Sequence, residues 1–392
     1  MNKLEELIQK LCPIGVEYKK ISEVCQRQKG IAITAGEMKK LDKPFAPIRI
    51  FAAGNTVANV DYGDIPNSSV ISKPSIIVKS RGNIGFEYYT NPFTHKNEMW
   101  SYSAKSELIR LKFVYYFLQN HIDEFQLKAK TGKLPQISIC DTDDYKIPIP
   151  PIEVQEEIVR ILDKFTELSA ELSAELSARK KQYNYFCDKL LTQSNHISYK
   201  KVKDLAKFTY GFTDKAKDAG NVRYIRITDI DETGCLKHDD KKFLNISENN
   251  HSYLLKKGDL VMARTGATFG KTLYFEDNEP SIYASFLIKI ELDNNKILNR
   301  FYWHFSKSSL YWEQANNLVS TGGQPQFNTG AIGQVVVPVP PLEEQERIVA
   351  ILDRFDKICN DISEGLPAEI EARQKQYEYY RDKLLTFEEI AQ

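Results

Sequence analysis

No run of apolar residues in this chain approaches the roughly 20 uncharged positions needed to cross a bilayer. The start, MNKLEELIQKL, places acids where a secretory leader needs an apolar core. A cytoplasmic location and no membrane partner are expected. Cysteine is sparse: Cys12, Cys25, Cys140, Cys187, Cys235 and Cys359 stand singly, with no Cys-x-x-Cys pair and no histidine near enough to finish a zinc site. Free thiols in a reducing compartment follow, and no bound metal. Net charge is absent as well, 53 basic side chains facing 53 acidic ones, which excludes a uniformly basic nucleic-acid coat. Catalytic signatures are missing too. GATFGKT at Gly266 is one residue short of the spacing a phosphate-wrapping loop needs between its glycines. NPF at Asn91 lacks the second proline of an Asn-Pro-Pro-aromatic methyl-transfer loop, and the triplets DYK at Asp144 and EYK at Glu17 lack upstream acids at nuclease spacing. With 42% hydrophobic residues over 392 positions, the chain still has material for two or three folded cores.

What is present is repetition. IPIPPIEVQEEIVRILDKF, from Ile147 to Phe165, matches VPVPPLEEQERIVAILDRF, from Val337 to Phe355, at 12 of 19 positions. Chance predicts about one identity. ARKKQYNYFCDKLLT at Ala178 matches ARQKQYEYYRDKLLT at Ala372 at 11 of 15. Weaker echoes pair TGKLPQI at Thr131 with TGGQPQF at Thr321, and YKKISEV at Tyr18 with YKKVKDL at Tyr199. Two tandem copies of one module are the simplest account.

Each copy ends in a helix. The Pro-Pro pairs Pro150-Pro151 and Pro340-Pro341 close a strand and preset a first helical turn, and Glu153, Glu156 and Glu157 suit the positive end of the helix dipole. Apolar residues then recur at helical spacing from Ile158 through Phe165 and Leu172 to Leu190, predicting one helix of about 60 Å from Ile152 to Thr192. The second copy shows the same stripe from Ile348 but breaks at Gly365-Leu366-Pro367. Such stripes need a partner, and antiparallel packing as a coiled-coil arm is expected. The blocks before the helices carry short β-type runs: SIIVKS at Ser75, YIRITDI at Tyr224, GDLVMAR at Gly258 and SFLIKIEL at Ser285. Each block reads as mixed α/β, mainly strands, with helical stretches at Leu108 to Leu127 and Arg300 to Leu318. The fold class is thus α+β, two tandem modules joined by long helices. Its divisions are an N-terminal helix over 1–15, modules at 16–150 and 194–341, and helical segments at 151–193 and 342–392. Charge follows these divisions: the modules carry +5 and +3, the helical segments −2 and −6.

The repeated PPIEVQEEIVRILDKF with ARKKQYNYFCDKLL, and PPLEEQERIVAILDRF with GLPAEIEARQKQYEYYRDKLL, together with ARTGATFGKT at Ala263, resemble the specificity subunits of Type I restriction-modification enzymes across essentially the whole chain. That resemblance implies two target-recognition domains, each reading one half of a split DNA site. It also implies helices that space the domains and dock two modification (methyltransferase) subunits, with restriction subunits joining for nuclease function. The chain itself is then non-catalytic and binds no cofactor, while the complex uses S-adenosylmethionine, ATP and magnesium. The rivals are the specificity chain of another restriction-methylation system, an inactive copy, and a structural two-domain protein that ignores DNA. Salt-dependent duplex binding with a modification partner separates the last.

Candidate DNA-binding residues gather on loops. In the second module a tight glycine turn presents Arg264, Thr265, Thr268 and Lys271, which suit phosphates through charge and base edges through Arg264. In the first, KSRGNIG presents Lys79, Ser80, Arg81 and Asn83. Gln136 and Gln326 follow Thr-Gly-x-x-Pro in both copies, with Lys133 inside the first of these loops; Arg223 precedes the run at Tyr224 and Arg226 lies within it. The central helix also carries ELSA three times, at Glu167, Glu171 and Glu175. Each unit adds about 6 Å and a net turn of about 40°. A DNA base pair advances about 3.4 Å and about 35°. One ELSA unit is therefore expected to shift the gap between half-sites by one or two base pairs.

Overall fold

The β-branched and aromatic runs become strands, and the repeat becomes two units with the same sheets. The computed structural model describes residues 3–129, 134–192, 197–320, 322–361 and 364–390. Unit 1 comprises Met1–Ala170 with Ala372–Gln392, and unit 2 comprises Glu171–Glu371. Among the described residues, no helix is long and apolar enough to cross a membrane.

Unit 1 holds a four-stranded antiparallel sheet in the spatial order Cys25–Gln28, Trp100–Ala104, Ser75–Lys79, Gly85–Tyr89. Unit 2 repeats it as Ala206–Tyr210, Leu287–Leu292, Leu260–Ala263, Thr272–Tyr274. The inner strands that carry the unbroken apolar runs are covered on both faces: Ile76, Ile77 and Val78 in one, Leu260 through Ala263 in the other, are all buried. A second sheet in each unit contains a parallel pair, Ile48–Phe51 with Phe93–His95 and Val222–Ile225 with Ser281–Tyr283. Arg49 and Arg223 occupy the same register position, opposite Phe93 and Ser281. A two-stranded ribbon closes each module, with Tyr18 opposite Pro148 and Tyr199 opposite Pro338. The expected helical stretches appear as Leu111–Asn120 with Ile122–Lys128, and as Asn299–Phe305 with Ser309–Leu318.

YIRITDI, read as one alternating strand, is shorter than expected. The strand ends at Ile225 and a 3-10 turn follows over Ile227–Asp229. Asp229 ends it: its carboxylate accepts the Arg226 backbone N–H at 2.7 Å and the Arg226 guanidinium at 2.7 and 3.1 Å, a local capping bond that competes with ladder pairing.

The central helix is continuous from Ile152 to Thr192. Its counterpart is split into Leu342–Asn360 and Leu366–Leu385. Each module is latched to its helix in the same way. The amide of Gln155 accepts the Arg110 N–H at 2.9 Å and donates to the carbonyls of Leu108 (3.1 Å) and Pro150 (2.8 Å). Gln345 accepts the Leu298 N–H at 2.9 Å and donates to Lys296 (2.9 Å) and Pro340 (2.8 Å). Two turns on, Asp163 takes Lys112 and Tyr116 at 2.8 and 2.6 Å, and Asp353 takes Arg300 and His304 at 2.7 and 2.8 Å. The duplication therefore extends from sequence to hydrogen-bond geometry.

Helix packing is antiparallel within each unit. In unit 1, Ile158 and Leu162 share a core with Leu384 and Leu385, while Phe165 stacks on Tyr380 at 5.6 Å and touches Tyr377 at 6.2 Å. In unit 2, Phe186 stacks on Phe355 at 5.4 Å, and Cys359 lies near Arg179 and Lys180. The motif ARKKQYNYF of the first copy thus belongs to unit 2, with the second module, and ARQKQYEYY of the second copy belongs to unit 1.

Candidate nucleic-acid interface

In both modules the inner apolar strand of the large sheet runs into a glycine with left-handed backbone, Gly82 (φ 80°) and Gly266 (φ 71°), a conformation that side-chain-bearing residues rarely adopt. The distant segments Pro135–Ile137 and Pro325–Phe327 close on these turns with the same bonds. Gly82 N–H donates to Pro135 O at 2.9 Å and Ile137 N–H to Ser80 O at 3.0 Å; Gly266 N–H donates to Pro325 O at 3.1 Å and Phe327 N–H to Arg264 O at 2.7 Å. Arg81 bridges Gln136, and Thr265 bridges Gln326. Two segments singled out separately in the sequence form one edge in each module. The bonds also set the register: Ser80 stands where Arg264 stands, and Arg81 where Thr265 stands.

The second-module edge is built around Arg264. Its Nε donates to Ser285 O at 3.0 Å and its Nη1 to Gln326 Oε1 at 3.4 Å. The guanidinium lies 5.3 Å from the Tyr210 ring centre and 5.4 Å from that of Phe286. Both rings are largely exposed, a feature no motif in the sequence signalled. Gln326 Nε2 donates to Thr265 Oγ1 at 2.7 Å, and that hydroxyl donates to Pro325 O at 3.2 Å. Thr265 is buried, so it braces the edge rather than offering a surface to DNA. Thr268, half-buried, turns its hydroxyl toward Thr265 O at 3.5 Å. Lys271 pairs with Glu232 at 2.6 Å. The turn is no phosphate cradle, because the N–H groups of Gly266, Phe269, Gly270 and Lys271 are all spent on carbonyls of this chain.

The first-module edge is more open. Arg81, Asn83 and Gln136 are exposed. Ser80 is buried, its hydroxyl donating to Glu98 O at 2.6 Å, and Lys79 pairs with Glu87 at 2.8 Å. Lys133 lies outside the described residues. Two expectations in the smaller sheet of unit 2 are corrected by burial and pairing. The side chain of Arg223 is wholly enclosed, its Nη2 donating to Lys237 O and its Nη1 lying 3.6 and 3.8 Å from Asp277 and Glu279. It has no surface to present to a duplex. Arg226 is held by Asp229 and reaches Asp240 at 3.3 Å, and these carboxylates hold its proton more tightly still. Of the sequence candidates, the structure therefore gathers Arg81, Asn83 and Gln136 on one edge and Arg264, Thr268 and Gln326 on the other.

The family model of the Type I restriction modification DNA specificity domain matches residues 13–179 and again 196–372. A putative Type I restriction enzyme specificity subunit of Haemophilus influenzae is 31% identical over 319 residues, 78% of this chain and 79% of that protein. The EcoR124I/EcoR124II specificity subunit of Escherichia coli is 34% identical over 293 residues, 71% of each chain. The crystal structure of a Type I restriction-modification S subunit from M. genitalium shares the fold, with TM-score 0.63 at 18% identity over 96% of this chain and 97% of that one.

Proposed function

Because this chain belongs to the family of Type I restriction-modification DNA specificity subunits, we propose that it reads a two-part DNA site, residues 16–150 taking one half-site and residues 194–341 the other. It is the recognition component of its complex and carries out no catalysis. The observation that carries this reading is the paired edge. Each module holds a strand-end glycine turn closed by a Pro-Gln loop, with identical backbone bonds but different outward side chains. Two sites of one architecture and different chemistry are what a split, asymmetric target requires, since base edges are told apart by the donors and acceptors set against them.

The chain acts with other subunits of the system on DNA. Our reading adds two modification subunits docked on the helical segments, which supply adenine methylation from S-adenosylmethionine, and restriction subunits that use ATP and magnesium. The test is to co-express the chain with its modification subunit and map methylated adenines on genomic DNA. A single split motif with a constant gap is expected. Methylation that is absent, or that persists unchanged without this chain, contradicts the reading.

A further inference from the structure

The geometry points to a guanine in the half-site read by the second module, taken through its N7 and O6 by the outer edge of Arg264. This rests on the proposed DNA-reading function and names what one of its two edges recognises. Three observations single this arginine out. Its inner side is fully engaged, Nε on Ser285 O and Nη1 on Gln326 Oε1. Its guanidinium carbon lies within 5.3 Å of the Tyr210 ring centre and 5.4 Å of the Phe286 ring centre, contacts that restrict its rotation. Its Nη2 makes no hydrogen bond among the described residues and is not among the buried unpartnered polar atoms, so that end faces solvent.

A phosphate needs none of this. It is satisfied by a mobile point charge, and freezing a long side chain costs about 2 kcal/mol of rotamer freedom that a phosphate contact does not require. A guanine does need it, because the bidentate fork-to-edge contact works only with the guanidinium in the base plane. The bracing extends inward. Gln326 Nε2 is committed to Thr265 Oγ1, which leaves Oε1 facing Arg264, and Thr265 is anchored on Pro325 O. Thr265 and Gln326 are thus positioning residues for Arg264. Nη1 carries a second N–H besides the one on Gln326, and this donor together with Nη2 supplies the two-donor edge without loss of the bracing. The first module has nothing equivalent, because Ser80 stands at this register position and is turned inward.

The test uses the chain in complex with its modification subunit on the mapped site. Each guanine in turn is replaced by 7-deazaguanine, which lacks the N7 acceptor. One replacement is expected to slow methylation by the unaltered complex roughly tenfold. Arg264→Met, which keeps an unbranched stem but carries no donor, should be slower on the ordinary site and indifferent to that replacement. In genomic maps Arg264→Ala should relax that one position while keeping the gap and the other half-site. Thr265→Val, which preserves shape but removes the bracing hydroxyl, should partly relax the same position. The guanine assignment is overturned if the unaltered complex tolerates 7-deazaguanine everywhere, a result that needs no variant to fold. It is equally overturned if Arg264→Met keeps full sensitivity or the Arg264→Ala map is unchanged. An unaltered complex that directs no split-motif methylation instead overturns the reading on which this inference rests.

Discussion

At the scale of single residues, the two copies differ most tellingly where they are otherwise superimposable. Tyr116 and His304 hold the same place against Asp163 and Asp353, yet only the histidine can titrate near neutrality. Asp353, an acceptor, fixes the proton on His304 Nε2, so Nδ1 accepts from the Tyr183 hydroxyl at 2.9 Å. Burial pushes the His304 pKa below its ordinary value, opposed by Asp353 and reinforced by Lys307 and Arg300. The folded state therefore refuses a proton that the unfolded chain accepts below about pH 6.5. Stability from this site is complete above that pH and is lost as pH falls beneath it. Urea unfolding of the whole chain between pH 7.5 and 5.5 should show a steeper loss for the unaltered chain than for His304→Phe. Parallel slopes would show that His304 already binds its proton when folded. None of this was legible in the sequence, where His304 is a lone histidine on an aromatic helix. The relation to Asp353, 49 positions on, exists only after the helix has docked.

At the scale of elements, the long helices were the most legible feature because a 3.6-residue apolar period sustained over many turns admits few other readings. The predicted break at Gly365-Leu366-Pro367 appears between Asn360 and Leu366. The ELSA array lies where the two units meet in the chain: unit 1 ends at Ala170, the last residue of the first repeat, and the other two repeats belong to unit 2. Removing Glu171 to Ala174 shortens the helix by about 6 Å with a net rotation of about 40°. It should change the gap in the methylated motif by one or two base pairs and leave both half-sites as they were. An unaltered gap in the methylation map would make the array an inert helical filler. The strand at Tyr224 was less legible, because alternation continues past the point where Asp229 caps a turn. A hydrogen bond between residues three apart outweighs a pattern that is only statistical.

For the whole molecule, neutrality and DNA recognition are reconciled by distribution. The positive excess of the modules is modest, and several cations at or near the candidate edges are committed to internal partners, Lys79 to Glu87, Lys271 to Glu232 and Arg226 to Asp229, which weakens their pull on a duplex. The isolated chain should therefore bind duplex DNA weakly, with a shallow salt dependence between 50 and 200 mM, as about one unit of log–log slope accompanies each neutralised phosphate. The complex with its modification subunit should bind its split site more tightly and with a steeper slope. Fluorescence anisotropy that found equal affinity and slope for the two would place the main phosphate contacts on this chain.

The amino-acid order by itself determined the duplication, the helices with their stripe and break, the strand-rich modules and the family. All of these are carried by local periodicity or contiguous identity, which survive without a third dimension. Tertiary structure decided how the copies combine: the QYxY motif at the end of each copy belongs to the unit that holds the other copy's module. It also decided which candidate side chains can meet a ligand. Arg264 and Arg223 are alike as letters on strand ends. One lies beside two exposed aromatics with Nη2 unbonded among the described residues, while the other is enclosed beside Asp277 and Glu279. The difference lies in which distant segments fold over each strand end, and charge or spacing in the sequence carries no record of that.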